Sequence, residues 1–272
     1  MLAMMESTIA LFKHFMPCNN VAMDYRARFW EKYVSTHYSS LYGRRSLEDA
    51  RRQFPVWETH FGALLPKEKN ARILDVGCGN GDLVYWLQSK GYANAEGVDL
   101  SPEQAEEAAS LGIKNIRHGE MKEALRQADR VYDAIVARDV LEHLTKEENV
   151  ALVDLVFSAL APDGIFIAQS VNAESLNWGR LRHGDFTHEV AFTAQSISQL
   201  LRIAGFASIA VHPQRPAVHG VFSFVRAALW RLREYMQRAN LLIETGSARG
   251  IFTQNIIVRA AKSDNDAIAG AD

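Results

Sequence analysis

The sequence predicts an α/β fold: a doubly wound, mostly parallel seven-stranded sheet with a helical N-terminal cap. Three observations carry this reading. From residue 71 onward, short apolar runs alternate with amphipathic helical segments through five strand–helix units. Such repetition builds a parallel sheet with helices on both faces. Residues 1–66 show helical periodicity instead. Finally, "ILDVGCGNGDLVYWL" at 73–87 sets Gly77, Gly79 and Gly81 at alternate positions between an apolar strand and an apolar helix. In a Rossmann-like sheet the first strand–helix turn is where a ligand sits.

The elements follow in order. In the cap, "SLEDARRQFPVWETHFGALL" opens on Ser46 with Asp49 three residues on, a capping-box spacing, and "PKEKN" at 66–70 is a polar break. "RILDVG" reads as a strand and "DLVYWLQSKG" as a helix closed by Gly91; "AEGVDL" is the second strand. "SPEQAEEAASLG" is a helix with Ser101 as cap and Pro102 in its first turn. "IKNIRHG", "YDAIVAR" and "GIFIAQS" are strands, separated by the helices "EMKEALRQAD" and "KEENVALVDLVFSAL". A helix at 193–205 and strands at 207–212 and 251–260 complete the sheet, one of them an antiparallel edge addition. The expected organisation is a cap at 1–66, a ligand-binding domain at 67–262 with a helical insertion at 213–249, and a small polar tail at 263–272.

Composition narrows the function classes. The chain has 272 residues, is 48% hydrophobic and 23% charged, and so can bury an ordinary core. A net charge of -2 does not favour nucleic acid as a partner. Two cysteines, Cys18 and Cys78, make neither a disulfide framework nor a zinc cluster, which fits a reducing cytoplasm. No window approaches the ~18 uninterrupted apolar residues that span a bilayer. The apolar N-terminus is interrupted by Glu6, Lys13 and His14 and reads as a short amphipathic helix ending near Pro17, not as a signal peptide. No ligand spacing demands a metal.

The glycine loop excludes two common ligands. A dinucleotide fingerprint places its third glycine where this chain has Asp82 or Val84, depending on register, and no Gly-Lys-Ser/Thr follows for a Walker loop. Asp75 at the strand's end suits a ligand with amine donors or positive charge better than a diphosphate. The D-x-G-x-G-x-G text of "ILDVGCGNGDL" resembles the first motif of class I S-adenosylmethionine-dependent methyltransferases. That resemblance implies that Asp75 orients the amino end of S-adenosylmethionine, directly or through water, with Gly77, Cys78 and Gly79 giving it backbone room. A carboxylate for the ribose hydroxyls is expected ~20 residues beyond the glycines, and Asp99 lies eighteen after Gly81. Leu100 would lie against the adenine. In "HGEMKE", Glu120 takes the place of the family's usual Asp near the adenine amino group, and Met121 offers a backbone N–H. "ARDVLEHL" is similar to the family's small-molecule branch and places Arg138, Asp139, Val140 and His143 along the cofactor cleft, His143 being equally readable as a packing residue or helix cap. The resemblance covers about residues 70–210.

The acceptor is sought in "NAESLNWGRLRHGDFTHEVAFT", 172–193, a polar loop after the fifth strand. An alcohol acceptor needs a general base. His188 is the first candidate, since its ordinary pKa is near neutrality; Asp185 and Glu189 follow. Trp178, Arg180 and Arg182, with Tyr33 from the cap, are candidates for holding the acceptor, and His37, Tyr38, Arg44 and Arg45 could also reach the site. Phe186 and Phe192 are expected in the core. The loop is similar to those of methyltransferases in bacterial surface-polysaccharide clusters, which implies O-methylation of a sugar, glycan or glycolipid hydroxyl. A quinone or other small metabolite is the alternative acceptor, and a non-catalytic cofactor-binding protein the alternative class. Within the insertion, Phe222, Val225, Leu229, Leu232 and Met236 share a helical face, with Arg226, Arg231, Arg233 and Arg238 on its polar side. The favoured reading is a lid helix packing that stripe on the domain; the alternative is peripheral membrane contact through 221–238.

Overall fold

The computed structural model describes residues 25–31, 46–126 and 131–263. The expected helix at 1–17, Cys18, Tyr33, His37, Tyr38, Arg44, Arg45 and the tail beyond 263 lie outside them. The elements are α1 (Tyr25–Glu31), α2 (Leu47–Phe61), β1 (Ile73–Val76), α3 (Asp82–Ser89), β2 (Ala95–Asp99), α4 (Pro102–Ser110), β3 (Ile116–His118), α5 (Met121–Arg126), β4 (Tyr132–Arg138), α6 (Lys146–Ala159), β5 (Leu160–Val171), α7 (Trp178–Gly184), α8 (Ala194–Ile203), β6 (Ser208–Pro213), α9 (Val221–Thr245) and β7 (Asn255–Ala261).

The seven strands run in the order β3-β2-β1-β4-β5-β7-β6. All neighbours are parallel except β7, which is antiparallel to β5 and to β6. The expected mostly parallel, doubly wound sheet is therefore present. Strand periodicity of two builds a core on each face. Leu74, Ile135, Phe166 and Val258 point to one side, against Leu125 of α5, Leu152 and Val156 of α6, and Ile197 and Leu201 of α8. Ile73, Val136, Ile167 and Ile257 point to the other, against Trp57 and Phe61 of α2 and Leu83, Trp86 and Leu87 of α3.

Helix ends show which local signals held. Ser46 and Asp49 form the expected capping box, and Thr145 and Thr193 make the same arrangement with Glu148 and Ser196. Ser101 does not act as a side-chain cap. Its backbone N–H donates to Asp99 Oδ1 at 2.8 Å, which ties the start of α4 to the end of β2.

The lid reading of the insertion is overturned. The stripe on α9 faces outward: Phe222 is 92% exposed, and Val225, Leu229, Leu232 and Met236 are exposed with it. On the other side of α9, buried Glu234 accepts from Arg215 outside the helix at 3.0 Å and from Arg238 one turn on at 2.9 Å. The apolar stripe of α9 is left exposed.

Candidate active site

Strand order reverses between β1 and β4, and the crevice there opens at the carboxyl ends of the strands. A cleft of about 920 Å³ fills it, at the upper end of volumes that hold small ligands. Gly77, Gly79, Asp99, Leu100, Glu120, Met121, Arg138, Asp139, Val140 and His143 line it, joined by Arg180, Asp185 and His188 from the loop after β5. Arg26 and Trp30 of α1 and Gln53 and Trp57 of α2 close the other side.

The glycine loop sits at the centre. Gly77 has φ +67, and a Cβ there would lie 2.6 Å from Val140 Cγ2, so the position needs glycine for both backbone and space. The N–H groups of the first three loop residues are spent internally. Those of Gly77 and Cys78 donate to Val98 O at 2.8 and 3.1 Å, and that of Gly79 donates to Asp99 Oδ2 at 2.8 Å. A diphosphate cradle needs such groups free, so these three are not available to one, which adds to the argument from spacing.

Asp99 uses one lone-pair position of each oxygen on the loop and on Ser101. A carboxylate offers about four such positions, which leaves two for a pair of hydroxyls. Burial pushes its pKa up, opposed by those two backbone bonds and by His118. Around it, Asn80 Nδ2, Ser101 Oγ and Gln104 Oε1 are buried without a partner among the described residues, and all three residues line the cleft. Buried polar atoms are normally paired, so the cleft fits a ligand rich in hydroxyls and amines. Asn80, Ser101 and Gln104 escaped the sequence reading. Only their proximity to the first motif and to Asp99 hinted at them.

Several expected site residues fall elsewhere. Cys78 is buried, packed where a Cβ on Gly97 would meet its Sγ at 2.6 Å, and it does not line the cleft. Asp75 is buried at the end of β1 and also lies off the cleft lining, its Oδ1 without a partner among the described residues. The nearby charge that opposes the effect of its burial is Arg138, which lies 5.6 Å over the Trp57 ring. Trp178 and Arg182 are not in the cleft wall: Trp178 is exposed, and Arg182 braces the loop by donating to the backbone oxygens of His188 and Glu189. Glu189 is likewise outside the lining and accepts from the Tyr25 hydroxyl, so it is no longer a candidate base. Phe186 is exposed, stacked on Phe29 at 5.3 Å, whereas Phe192 is buried as expected.

Burial pushes Asp75 up to about 7, with Arg138 opposing and Asp99 adding to the rise. The native state then keeps a proton that the unfolded chain, near its ordinary 3.8, has released. Stability must fall as pH rises between those two values, by roughly 4 kcal/mol. Urea unfolding of the cofactor-free protein should show this decline, and Asp75→Asn should flatten it.

The remaining wall is built by the turn after β4 and the loop after α7. His143 Nδ1 lies 2.8 Å from Thr187 Oγ1, which itself donates to Asp185 Oδ1 at 2.7 Å. His188 Nδ1 lies 2.8 Å from Leu181 O. Those partners assign the proton of both rings to Nδ1 and the lone pair to Nε2. The two rings are 4.6 Å apart, and Trp30 meets His143 edge-on at 5.2 Å. Burial lowers the His188 pKa, with Asp185 opposing. Beside this wall, buried Glu142 accepts from Ser170 Oγ at 2.9 Å, and burial followed by Asp139 holds its carboxyl above the usual range. Asp139 has φ +56 and accepts from Gln169 Nε2 at 2.7 Å. A non-glycine residue in that region at a cleft rim is characteristic of functional sites.

The comparisons agree with this geometry. The pattern of a family described as "Methyltransferase domain" matches residues 47–211. This chain belongs to that methyltransferase family. A ubiquinone biosynthesis O-methyltransferase of Xylella fastidiosa is 32% identical over 107 residues, covering 38% of this chain and 42% of the relative. A trans-aconitate 2-methyltransferase of Pseudomonas aeruginosa is 35% identical over 117 residues, covering 40% and 39%. The matched stretches thus span about two fifths of these relatives. A solved SAM-dependent methyltransferase from Archaeoglobus fulgidus superposes with a TM-score of 0.56 at 20% identity, over 88% of this chain and 100% of that one; at that identity it shows the fold. S-adenosylmethionine is the methyltransferase cofactor that this family and fold imply, and Asp99, Ser101, Gln104 and Asn80 fit it. No helix among the described residues is long and apolar enough to cross a membrane.

Proposed function

We propose that this methyltransferase O-methylates a phenolic hydroxyl on a lipid-soluble acceptor of the quinone-precursor class. The single observation that carries the O-methylation is His188 in the cleft wall, its Nδ1 held by Leu181 O and its pKa lowered by burial. A neutral imidazole with its lone pair on Nε2 takes a hydroxyl proton. Bound S-adenosylmethionine supplies an activated methyl group on a sulfonium. Asp99 holds the ribose hydroxyls, Gln104 and Ser101 take further polar groups, and Arg180 meets the acceptor side. Trp30 and Trp57 exclude water from the cleft.

Two observations support the acceptor class. The relatives described above are named for ubiquinone biosynthesis and trans-aconitate, so the quinone alternative is better supported than the polysaccharide acceptor that the "GDFTHE" text implied. The outward stripe of α9 with exposed Arg226 and Arg231 suits the surface of an anionic bilayer, where such an acceptor resides. A screen of the full chain against phenols in vesicles, nucleotide sugars and trans-aconitate tests the reading. The expected result is gain of one methyl group on the phenol; methylation of the sugars alone would contradict it. In flotation, the protein should rise with phosphatidylglycerol vesicles and less with neutral ones. The pair Leu229→Asp and Met236→Asp should leave it at the bottom of the gradient.

A further inference from the structure

We propose that His143, Asp185 and His188 form a divalent transition-metal site in the cleft wall. Their ligand atoms lie within 4.8 Å of one another. Ligands ~2.1 Å from an ion are at most ~4.2 Å apart, so the set closes on an ion with side-chain shifts of under an ångström. His143 and Asp185 are buried and His188 is half-buried. Asp185 and His188 stand three residues apart in one loop, but His143 comes from the turn after β4, forty-two residues before Asp185, so only the fold brings the set together.

Each ligand is already oriented from behind. Thr187 accepts from His143 Nδ1 and donates to Asp185 Oδ1, while its backbone N–H donates to the same oxygen at 2.9 Å. Leu181 O holds Nδ1 of His188. Metal-binding imidazoles are held in this way, with the second ring nitrogen bonded and the ligating lone pair directed by that bond. The rings meet at 65°, converging rather than stacking. Two further carboxylates, Asp139 and Glu142, line the same cleft, and a dication relieves the repulsion among them and Asp185.

Two imidazoles and one carboxylate select zinc, manganese, iron(II) or cobalt over magnesium and calcium. Three protein ligands leave positions open toward the cleft for water and for the acceptor oxygen. The role assigned to the ion rests on the O-methylation reading. Coordinated to the ion, the acceptor hydroxyl loses its proton to water, because the cation stabilises the oxyanion. Its oxygen then forms the O–CH3 bond as the S–CH3 bond breaks, and the sulfonium electron pair returns to sulfur in S-adenosylhomocysteine. His188 is then a ligand, and water takes the proton that the metal-free reading assigns to its Nε2.

Cobalt(II) added to the metal-stripped full chain tests the site. The expected result is one-to-one binding with visible absorption bands. Loss of a partner behind a ligand weakens metal binding by ~10–100-fold; Asp185→Asn and His188→Ala, which remove ligands, should weaken it by about 100-fold or more. A thermal shift on adding S-adenosylhomocysteine shows that each variant is folded. Absent binding, or binding unchanged in both variants, overturns the site. Full phenol methylation by the stripped enzyme, abolished in His188→Ala, overturns the metal's role and leaves His188 as the base. Stoichiometric cobalt on His143, Asp185 and His188, with no acceptor methylated, upholds the site and overturns the O-methylation reading.

Discussion

Asp99→Ala should weaken S-adenosylhomocysteine binding by about 100- to 10,000-fold. Hydrogen bonds to a charged group are worth ~1.5–3 kcal/mol each, and two to the ribose hydroxyls would vanish. Each ~1.4 kcal/mol is a factor of ten in affinity. The same truncation strips the Gly79 and Ser101 N–H groups of their acceptor, so the glycine loop loses its anchor to β2 as well. Calorimetry on the wild type and variant measures the ratio. Asp99→Asn keeps one acceptor oxygen and should fall between the two. Unchanged affinity in Asp99→Ala would remove this carboxylate from the cofactor site and with it the placement of the ribose.

His188→Ala lowers kcat on the true acceptor by about 100- to 10,000-fold, the span that loss of positioned proton transfer costs, and leaves S-adenosylhomocysteine affinity unchanged. The separation of the two effects matters more than either size. Asp99 and the loop around it form one part of the cleft, and His188, His143 and Asp185 form another wall built from different segments. The pH profile carries further information. Burial places the His188 pKa below 6.5, with Asp185 the largest opposing influence. The rate of the metal-stripped enzyme should therefore fall only as pH drops through that lowered value, and Asp185→Asn should move the fall to lower pH. A His188→Ala enzyme with normal kcat would take the proton-accepting role from this wall.

The sheet and the cofactor half of the site were legible in the sequence because local patterns encode them. Alternation of apolar runs with helical periods specifies a parallel sheet, and a carboxylate at the end of β2 needs only the strand's length to be placed. Gly77 was readable for the same reason: its positive φ and its approach to Val140 are demands that only glycine meets. Burial was less legible. Asp75 and Cys78 belong to the quoted motif, yet Asp75 is buried in β1 and Cys78 packs beside Gly97, both off the cleft lining. Ser101 looked like a helix cap, but its side chain does not cap α4.

The acceptor half was harder to read, because it depends on tertiary contact between the "DVLEHL" turn and the "GDFTHE" loop. His143, Thr187, Asp185 and His188 form one hydrogen-bonded wall, yet each segment alone shows only scattered polar residues. Glu189, two positions after Thr187, goes to Tyr25. Helix α9 inverts the usual inference from amphipathicity. The periodic stripe on Phe222 and Leu229 predicted packing on the domain, but Arg215 pairs with Glu234 on the opposite side of the helix. A hydrophobic period shows that a face is apolar; which face meets the protein is decided by what the protein offers in return.

Calorimetry of the full chain with S-adenosylhomocysteine, and separately with NAD, tests the central claim most directly. The expected result is saturable one-to-one binding of S-adenosylhomocysteine and none of NAD, because Asp99 faces the ribose and the N–H groups of Gly77, Cys78 and Gly79 are committed to Val98 and Asp99. Binding of the dinucleotide in place of the nucleoside would contradict it.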